Sequence, residues 1–342
     1  MTVKKEKKIV KNKKETDSEK LRIYCHQCNQ KLDVTNLNAF DTVPCPTCKT
    51  SLIVPKWFDS YLLEEECGSG GAAIVYRSLD ITLDREIAIK IFIGNDNSPQ
   101  FTEIFLHEGR VTASLNHPGI VPIYSCGQFE GQCFLIMQYM PNGTMEAKIK
   151  KDEPLKISQV LSWILDITLA LKMALQAGVI HHDVKPANML LDSDNDVKIT
   201  DFGLAYALHD IQSESLRTEL GSFGSPDYVS PEKVEYGTET HKGDIFSLGV
   251  TLYELLTKEK PFKRNKGEDD ILEERAKHPI KPPHELRPEI SSKLSNFVMR
   301  LMSKDPDRRP EYDTIIEELK IFQEKYEKYE DKFFYPFLAK HL

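Results

Sequence analysis

The stretch that most limits what this chain can fold into is short and polar: His181-His182-Asp183-Val184-Lys185-Pro186-Ala187-Asn188. It follows a long helical run, Ile157 to Ala177, which Gly178 ends. It precedes a strand, Val197-Lys198-Ile199-Thr200, and then Asp201-Phe202-Gly203. A carboxylate and an amide on one rigid loop can meet a metal ion and a hydroxyl together. Such a loop needs a firm body to hold it, and the rest of the sequence supplies two kinds of element.

From Tyr61 to Ile93 the pattern is strand-like, and glycines at 68, 70 and 71 break it. Arg85 to Phe92 alternates between flanking turns. Ser98-Pro99 can cap and open a helix, which should run from Pro99 to Leu115, before Asn116-His117-Pro118. Ile120 to Tyr124 and Cys133 to Gln138 read as further strands, and Asn142-Gly143 as a turn. Beyond Ile157, helices are expected at 243–257, 268–276, 291–302 and 310–330. Strands with one helix, then mostly helices, predict an α+β, bilobal arrangement with a cleft between the lobes.

Gly68-Ser69-Gly70-Gly71-Ala72-Ala73-Ile74-Val75 lies between two of these strands. Small residues let backbone N–H groups approach phosphates closely, although a plain hairpin turn would look similar. A dinucleotide fingerprint would open a helix, whereas a strand follows here, and the loop lacks the Gly-Lys-Ser/Thr ending of a Walker A motif. Lys90, in Ala88-Ile89-Lys90, can hold two phosphates as a point charge; taken alone it is equally a surface strand lysine.

Taken together and in order, these motifs resemble the protein kinase family, specifically the bacterial serine/threonine kinases that look like eukaryotic ones, over residues 58 to 325. The resemblance implies an ATP-dependent enzyme that transfers the γ-phosphoryl group to serine or threonine hydroxyls of protein substrates, with Mg²⁺ or Mn²⁺. It implies that Gly68, Gly70 and Val75 cover ATP, with Ala88 beside them, and that Lys90 contacts the α and β phosphates and pairs with Glu108. Glu103 is the rival partner, read as a solvated residue. Met137 matches the position controlling access behind adenine, and the backbone at Gln138 and Met140 matches the hinge. Asp183 matches the residue that orients the substrate hydroxyl, and Lys185 a lysine near the transferred phosphate. Asn188 and Asp201 match the metal ligands. Ser230-Pro231-Glu232 stands where Ala-Pro-Glu is expected, so Glu232 should pair with buried Arg309, and Asp244 should steady the catalytic loop.

Three positions depart from the family pattern. Ala73 stands at the third glycine of the loop, which predicts a stiffer loop and a higher KM for ATP. Ser225 replaces a threonine in the substrate segment. His182 replaces the arginine that commonly pairs with a phosphate on the activation segment. Histidine is shorter and only partly charged near neutral pH, so dependence on that phosphorylation should be weaker. Ser213, Ser215, Thr218 and Ser222 are candidate autophosphorylation sites. The complete set Lys90, Glu108, Asp183, Asn188 and Asp201 weighs against a catalytically silent scaffold. Ser225-Pro226 and Ser230-Pro231-Glu232 weigh against a small-molecule kinase.

Seven cysteines occur. Cys25-x₂-Cys28 and Cys45-x₂-Cys48 are two knuckles that can complete a tetrahedral four-thiolate site, read as a zinc ribbon with structural Zn²⁺. Redox dithiols or an iron site use the same ligands. His26 is expected to be a surface residue. The ribbon can recruit a partner protein, dimerise or pack against the small lobe. Cys67, Cys126 and Cys133 are expected to be buried free thiols, and the whole pattern suits a reducing cytoplasm. The formal net charge of -8 and a thin basic set on the ribbon argue against nucleic-acid binding. The absence of any run of 18 apolar residues predicts no membrane span. The expected organisation is a disordered basic tail (1–20), the ribbon (21–56), a small lobe (57–137), a hinge (138–143), a large lobe (144–330) and a tail (331–342) that docks on the body.

Overall fold

The computed structural model of the chain describes residues 21–25, 27–70, 73–93, 99–151, 154–202, 226–237, 240–262 and 279–338, with the side chains of 70, 99–101, 104, 108 and 329–338 outside the description. The basic tail 1–20, His26, the helix expected at 268–276, and Ser213, Ser215, Thr218, Ser222 and Ser225 therefore lie outside the described residues. Two compact units emerge: Met1–Asn97 with Tyr124–Tyr139, and Ser98–Ile123 with Met140–Leu342. The first is rich in strands and the second in helices, the expected α+β pairing.

The first unit opens with two small hairpins. Strands β1 (Arg22–Tyr24) and β2 (Lys31–Asp33) pair, as do β3 (Thr42–Pro44) and β4 (Ser51–Ile53). A six-stranded sheet follows in the order β5-β6-β7-β8-β10-β9, with β5 at Lys56–Phe58, β6 at Tyr61–Gly70, β7 at Ala73–Asp80, β8 at Arg85–Phe92, β9 at Ile123–Phe129 and β10 at Gln132–Gln138. Register sorts the side chains by face. Tyr76 opposes Ile89, which opposes Ile136, and these join Phe58, Leu63, Ile91 and Phe134 in one apolar cluster. The other face carries Val75 opposite Lys90, and Ala88 opposite Met137. The β7–β8 turn is held by Asp80, whose carboxylate accepts from the N–H of Thr82 and Leu83.

The second unit is built around two buried helices. Helix α1 (Pro99–Ser114) comes first, then α2 (Met145–Ile149) and α3 (Ile157–Gln176). The hairpin β11 (Met189–Leu191) and β12 (Val197–Ile199) follows, then α4 (Pro231–Tyr236), α5 (His241–Thr257), α6 (Pro283–Leu286), α7 (Ser292–Leu301) and α8 (Tyr312–Leu338). Every residue of α5 from Gly243 to Leu256 is buried, so it is a core helix, apolar all round. Gly249 lets α7 approach: a Cβ there would meet the Leu301 Cβ at 2.7 Å. Helix α3 is long and apolar enough to cross a bilayer by length and composition, and here Val160, Leu161, Ile164, Ile167 and Leu171 are buried in the core of this unit.

Several expectations need correction. Ile120 to Tyr124 is not one strand. Ile120 makes an isolated bridge to Ile199, and β9 begins at Ile123. Pro122, which has no N–H, separates the two pairings. Helix α8 continues to Leu338 rather than stopping at 330. Helix α2 had not been anticipated, although Thr144 caps it by accepting from the Ala147 N–H at 3.1 Å. Cys133 is buried and Cys126 half-buried, but Cys67 is exposed at the edge of the glycine-rich hairpin.

The Glu232–Arg309 pair forms as the resemblance implied. Arg309 is 1% exposed and grips Glu232 with both terminal nitrogens, at 2.6 and 2.7 Å. Its remaining N–H groups reach the carbonyls of Ser303, Lys242 and Lys304. Burial pushes the Glu232 carboxyl up, but the Arg309 bonds outweigh it and hold the group below the ordinary glutamate value. A depressed folded pKa contributes stability that is present above the unfolded value of 4.5 and lost as pH falls through the folded one. Glu232→Gln should therefore cost about 3–5 kcal/mol in urea unfolding at pH 7. The gap from the parent chain should narrow as the titration is carried below pH 4.5.

Candidate active site

The polar loop at 181–188 is tied down by α5. Asp244 is 3% exposed, and its two carboxylate oxygens accept from the backbone N–H of His181 and of His182, each at 2.8 Å. Burial pushes the Asp244 carboxyl above the ordinary aspartate value, and the two histidines with their N–H bonds pull it back. His182 sits in the left-handed region at φ 68°, a conformation that a non-glycine residue keeps only when its surroundings hold it. His181 is nearly buried and fastens the loop to the next strand. Its Nδ1 accepts from the Asp183 N–H at 3.2 Å, which puts the ring proton on Nε2, 2.9 Å from the Thr200 carbonyl. The same ring lies 4.5 Å from Phe202. The sequence singled out neither of these roles for His181.

The reactive side chains meet within this loop. The Asn188 amide donates to both the carbonyl and Oδ2 of Asp183, each at 2.9 Å, and Lys185 Nζ lies 2.7 Å from the same Oδ2. With its amide protons committed, Asn188 keeps Oδ1 as the atom suited to a cation. The β11–β12 ladder pairs Met189 with Ile199, and the Thr200 N–H donates to the Asn188 carbonyl at 2.9 Å. Asn188 and Asp201 thus leave the same end of one hairpin. Asp201 is also left-handed, at φ 67°. At the other end, Asp192 was passed over, though Asp-Ser-Asp-Asn-Asp is an Asx-turn signal; its Oδ1 accepts from the N–H of Asp194 and of Asp196.

In the first unit, Val75, Ala88, Lys90 and Met137 share one face of the sheet, and Gln138 ends β10. Lys90 Nζ lies 5.5 Å from the Phe92 ring centre. A Cβ at Gly68 would meet no protein atom within 4 Å, so the space a phosphate needs is open there. Gly71 and Ala72 lie outside the described residues, as does the side chain of Glu108, which belongs to α1 in the second unit. Glu103 is exposed, as expected. Met140 is buried in the second unit.

The four knuckle cysteines converge: their sulfurs all lie within 4.8 Å of one another, with Cys25–Cys48 and Cys28–Cys45 at 3.5 Å. The two knuckles repeat one geometry. Cys25 N–H donates to the Gln30 carbonyl and Asn29 N–H to the Cys25 carbonyl, with Asn29 at φ 60°. Cys45, Lys49 and Thr50 do the same, with Lys49 at φ 64°. Hydrogen bonds from Thr50 hold the Cys48 thiol down at about 6. The Gln30 amide pulls Cys28 down, but burial and the three neighbouring sulfurs push it up to about 12. Four thiols this close resist ionising together, and a bound divalent cation removes that conflict.

A protein kinase domain model matches residues 61–320. The chain belongs to the protein kinase family. Among its relatives, serine/threonine-protein kinase PrkC of Bacillus subtilis is 35% identical over 256 residues, covering 73% of this chain and 38% of that protein. Serine/threonine-protein kinase PknB of Mycobacterium leprae is 33% identical over 268 residues, covering 77% and 42%. A probable PknB of Lactococcus lactis is 36% identical over 257 residues, covering 73% and 40%. The chain thus spans about two-fifths of the length of these relatives. The kinase match begins after the cysteine knuckles, which are an addition to the family domain. Elemental analysis of the purified kinase should find about one zinc per chain, and Cys45→Ser should abolish it and lower the melting temperature.

Proposed function

We propose that this kinase transfers the γ-phosphoryl group of ATP to serine or threonine hydroxyls of protein substrates, and that the Cys25-Cys28-Cys45-Cys48 centre holds a structural Zn²⁺. The observation that carries the catalytic reading is the Asp183–Lys185–Asn188 cluster on a loop clamped by Asp244. Family membership and the named serine/threonine kinases among the relatives support it.

In this reading the sheet face bearing Val75, Ala88 and Met137 receives adenine, and Lys90 receives the α and β phosphates. Asn188 Oδ1 and the Asp201 carboxylate are the ligands for Mg²⁺, which supplies charge to offset the phosphates when bound. Asp183 accepts a hydrogen bond from the substrate hydroxyl and aims its oxygen at the γ-phosphorus. Lys185, already at hydrogen-bond distance from Asp183, is placed to stabilise negative charge on the moving phosphoryl oxygens. Lys185 lies two residues after Asp183, the arrangement expected for serine and threonine rather than tyrosine. The free thiols and the four-cysteine centre support a reducing, cytoplasmic setting for this part of the protein.

A single assay with Mg²⁺, labelled ATP and a generic protein substrate tests the reaction. Asp183→Ala should lower kcat by about 10²–10⁴-fold with ATP binding retained. Asp201→Ala should remove metal-dependent turnover, and near-normal rates in either variant would contradict the assigned roles. A phosphosite map with matched kinetics tests the His182 departure. Phosphorylation of the activation segment should change kcat by only a few-fold, and His182→Arg should increase that dependence.

A further inference from the structure

The ribbon and the sheet belong to the same unit and touch through an aromatic pair. Phe40 stands in the ribbon, just ahead of β3, yet it packs on the sheet's apolar cluster and not in the ribbon's own core. Its ring is stacked on Tyr76, with centroids 5.4 Å apart and planes 13° from parallel. Its backbone is left-handed at φ 69°, a strained conformation for a bulky side chain. That strain is held by the ribbon itself. The Phe40 N–H donates to the Val54 carbonyl at 2.6 Å, and the Val54 N–H donates to the Asp41 carbonyl at 2.9 Å. Val54 is fully buried in the ribbon core beside Cys25 and Cys45, and β3 runs directly into Cys45. One hairpin therefore carries two of the metal ligands, Cys45 and Cys48, and shares its fixation with Phe40.

The other end of this contact is the nucleotide strand. Tyr76 follows Val75 in β7, and Val75 opposes Lys90 across the ladder. Tyr76 faces the ribbon, while its neighbour faces the surface assigned above to ATP. We infer that Phe40 is a positioning residue that links metal occupancy of the four-cysteine centre to nucleotide affinity, by holding β7 and the root of the glycine-rich hairpin against the ribbon. This inference rests on the nucleotide-binding reading of that sheet face.

The test uses the full chain loaded with zinc. Phe40→Ala leaves every thiol in place, so it should retain its zinc. Its kcat should stay within about twofold, while KM for ATP and the dissociation constant for MgADP rise by about 3- to 10-fold, the scale of one aromatic contact. Phe40→Tyr should restore both constants. Coupling between two ligands is reciprocal. Saturating MgADP should therefore raise the apparent zinc affinity of the parent chain, measured against the chelator 4-(2-pyridylazo)resorcinol, by a similar factor. In Phe40→Ala it should leave that affinity unchanged. Unaltered MgADP affinity in zinc-loaded Phe40→Ala, or zinc affinity indifferent to MgADP in the parent chain, would overturn the inference. So would a combined loss of kcat and thermal stability that Phe40→Tyr does not rescue, because plain packing would then explain it. A parent chain that retains zinc but binds no MgADP would overturn the nucleotide reading and the inference with it.

Discussion

Asp244 carries the catalytic loop. Its two oxygens take the N–H groups of His181 and His182, in a setting with almost no solvent, and this fixes a backbone bend that histidine does not favour on its own. The bend orients Asp183, and through Asp183 the amide of Asn188 and the ammonium of Lys185. A buried carboxylate is costly unless its bonds are complete, and here both oxygens are used. The same helix is buried along nearly its whole length, so the anchor sits in the most rigid element of the second unit. Rigidity matters because a hydroxyl must be held in line with a phosphorus atom to a fraction of an ångström.

A second constraint works at the opposite end of the chain. The ribbon's short strands bury only a handful of apolar residues, Ile23, Val34, Leu52 and Val54 among them. A core that small cannot hold a fold against chain entropy without a crosslink, and four converging thiols provide the place for one. The ribbon is continuous with the sheet: Lys56–Phe58 is both its exit and the edge strand of the nucleotide unit. Phe58 then packs edge-on to Phe129 and Phe134. An accessory module fused this way shares a hydrophobic surface with the catalytic body instead of hanging from a linker.

Much of the site was legible because its chemistry is compressed into short motifs. Asp183, Lys185 and Asn188 fall within one loop, so their meeting needed only that the loop be ordered. Asp201 was legible because a strand precedes it, and the knuckles because CxxC spacing suits a single metal. Glu232 and Arg309 were paired only by family pattern, since they lie far apart in the chain. Cys67 was misjudged because an apolar neighbourhood in sequence does not say which side of a hairpin edge faces solvent. The strand expected at Ile120–Tyr124 failed for a related reason: its first half pairs with β12 and its second half joins a different sheet, and no local signal separates them except Pro122.

What the sequence by itself determined is therefore the inventory of reactive groups and the alternation that sorts strand residues into two faces. Residue type sets donor, acceptor and charge, and the period of two sets the face, before any folding is considered. Tertiary structure alone decided which distant groups hold the reactive ones still: Asp244 beneath the catalytic loop, His181 against Thr200 and Phe202, and Phe40 upon Tyr76. Those partnerships depend on packing between elements remote in the chain, and the free energy of such packing is a property of the assembled core that no local stretch encodes.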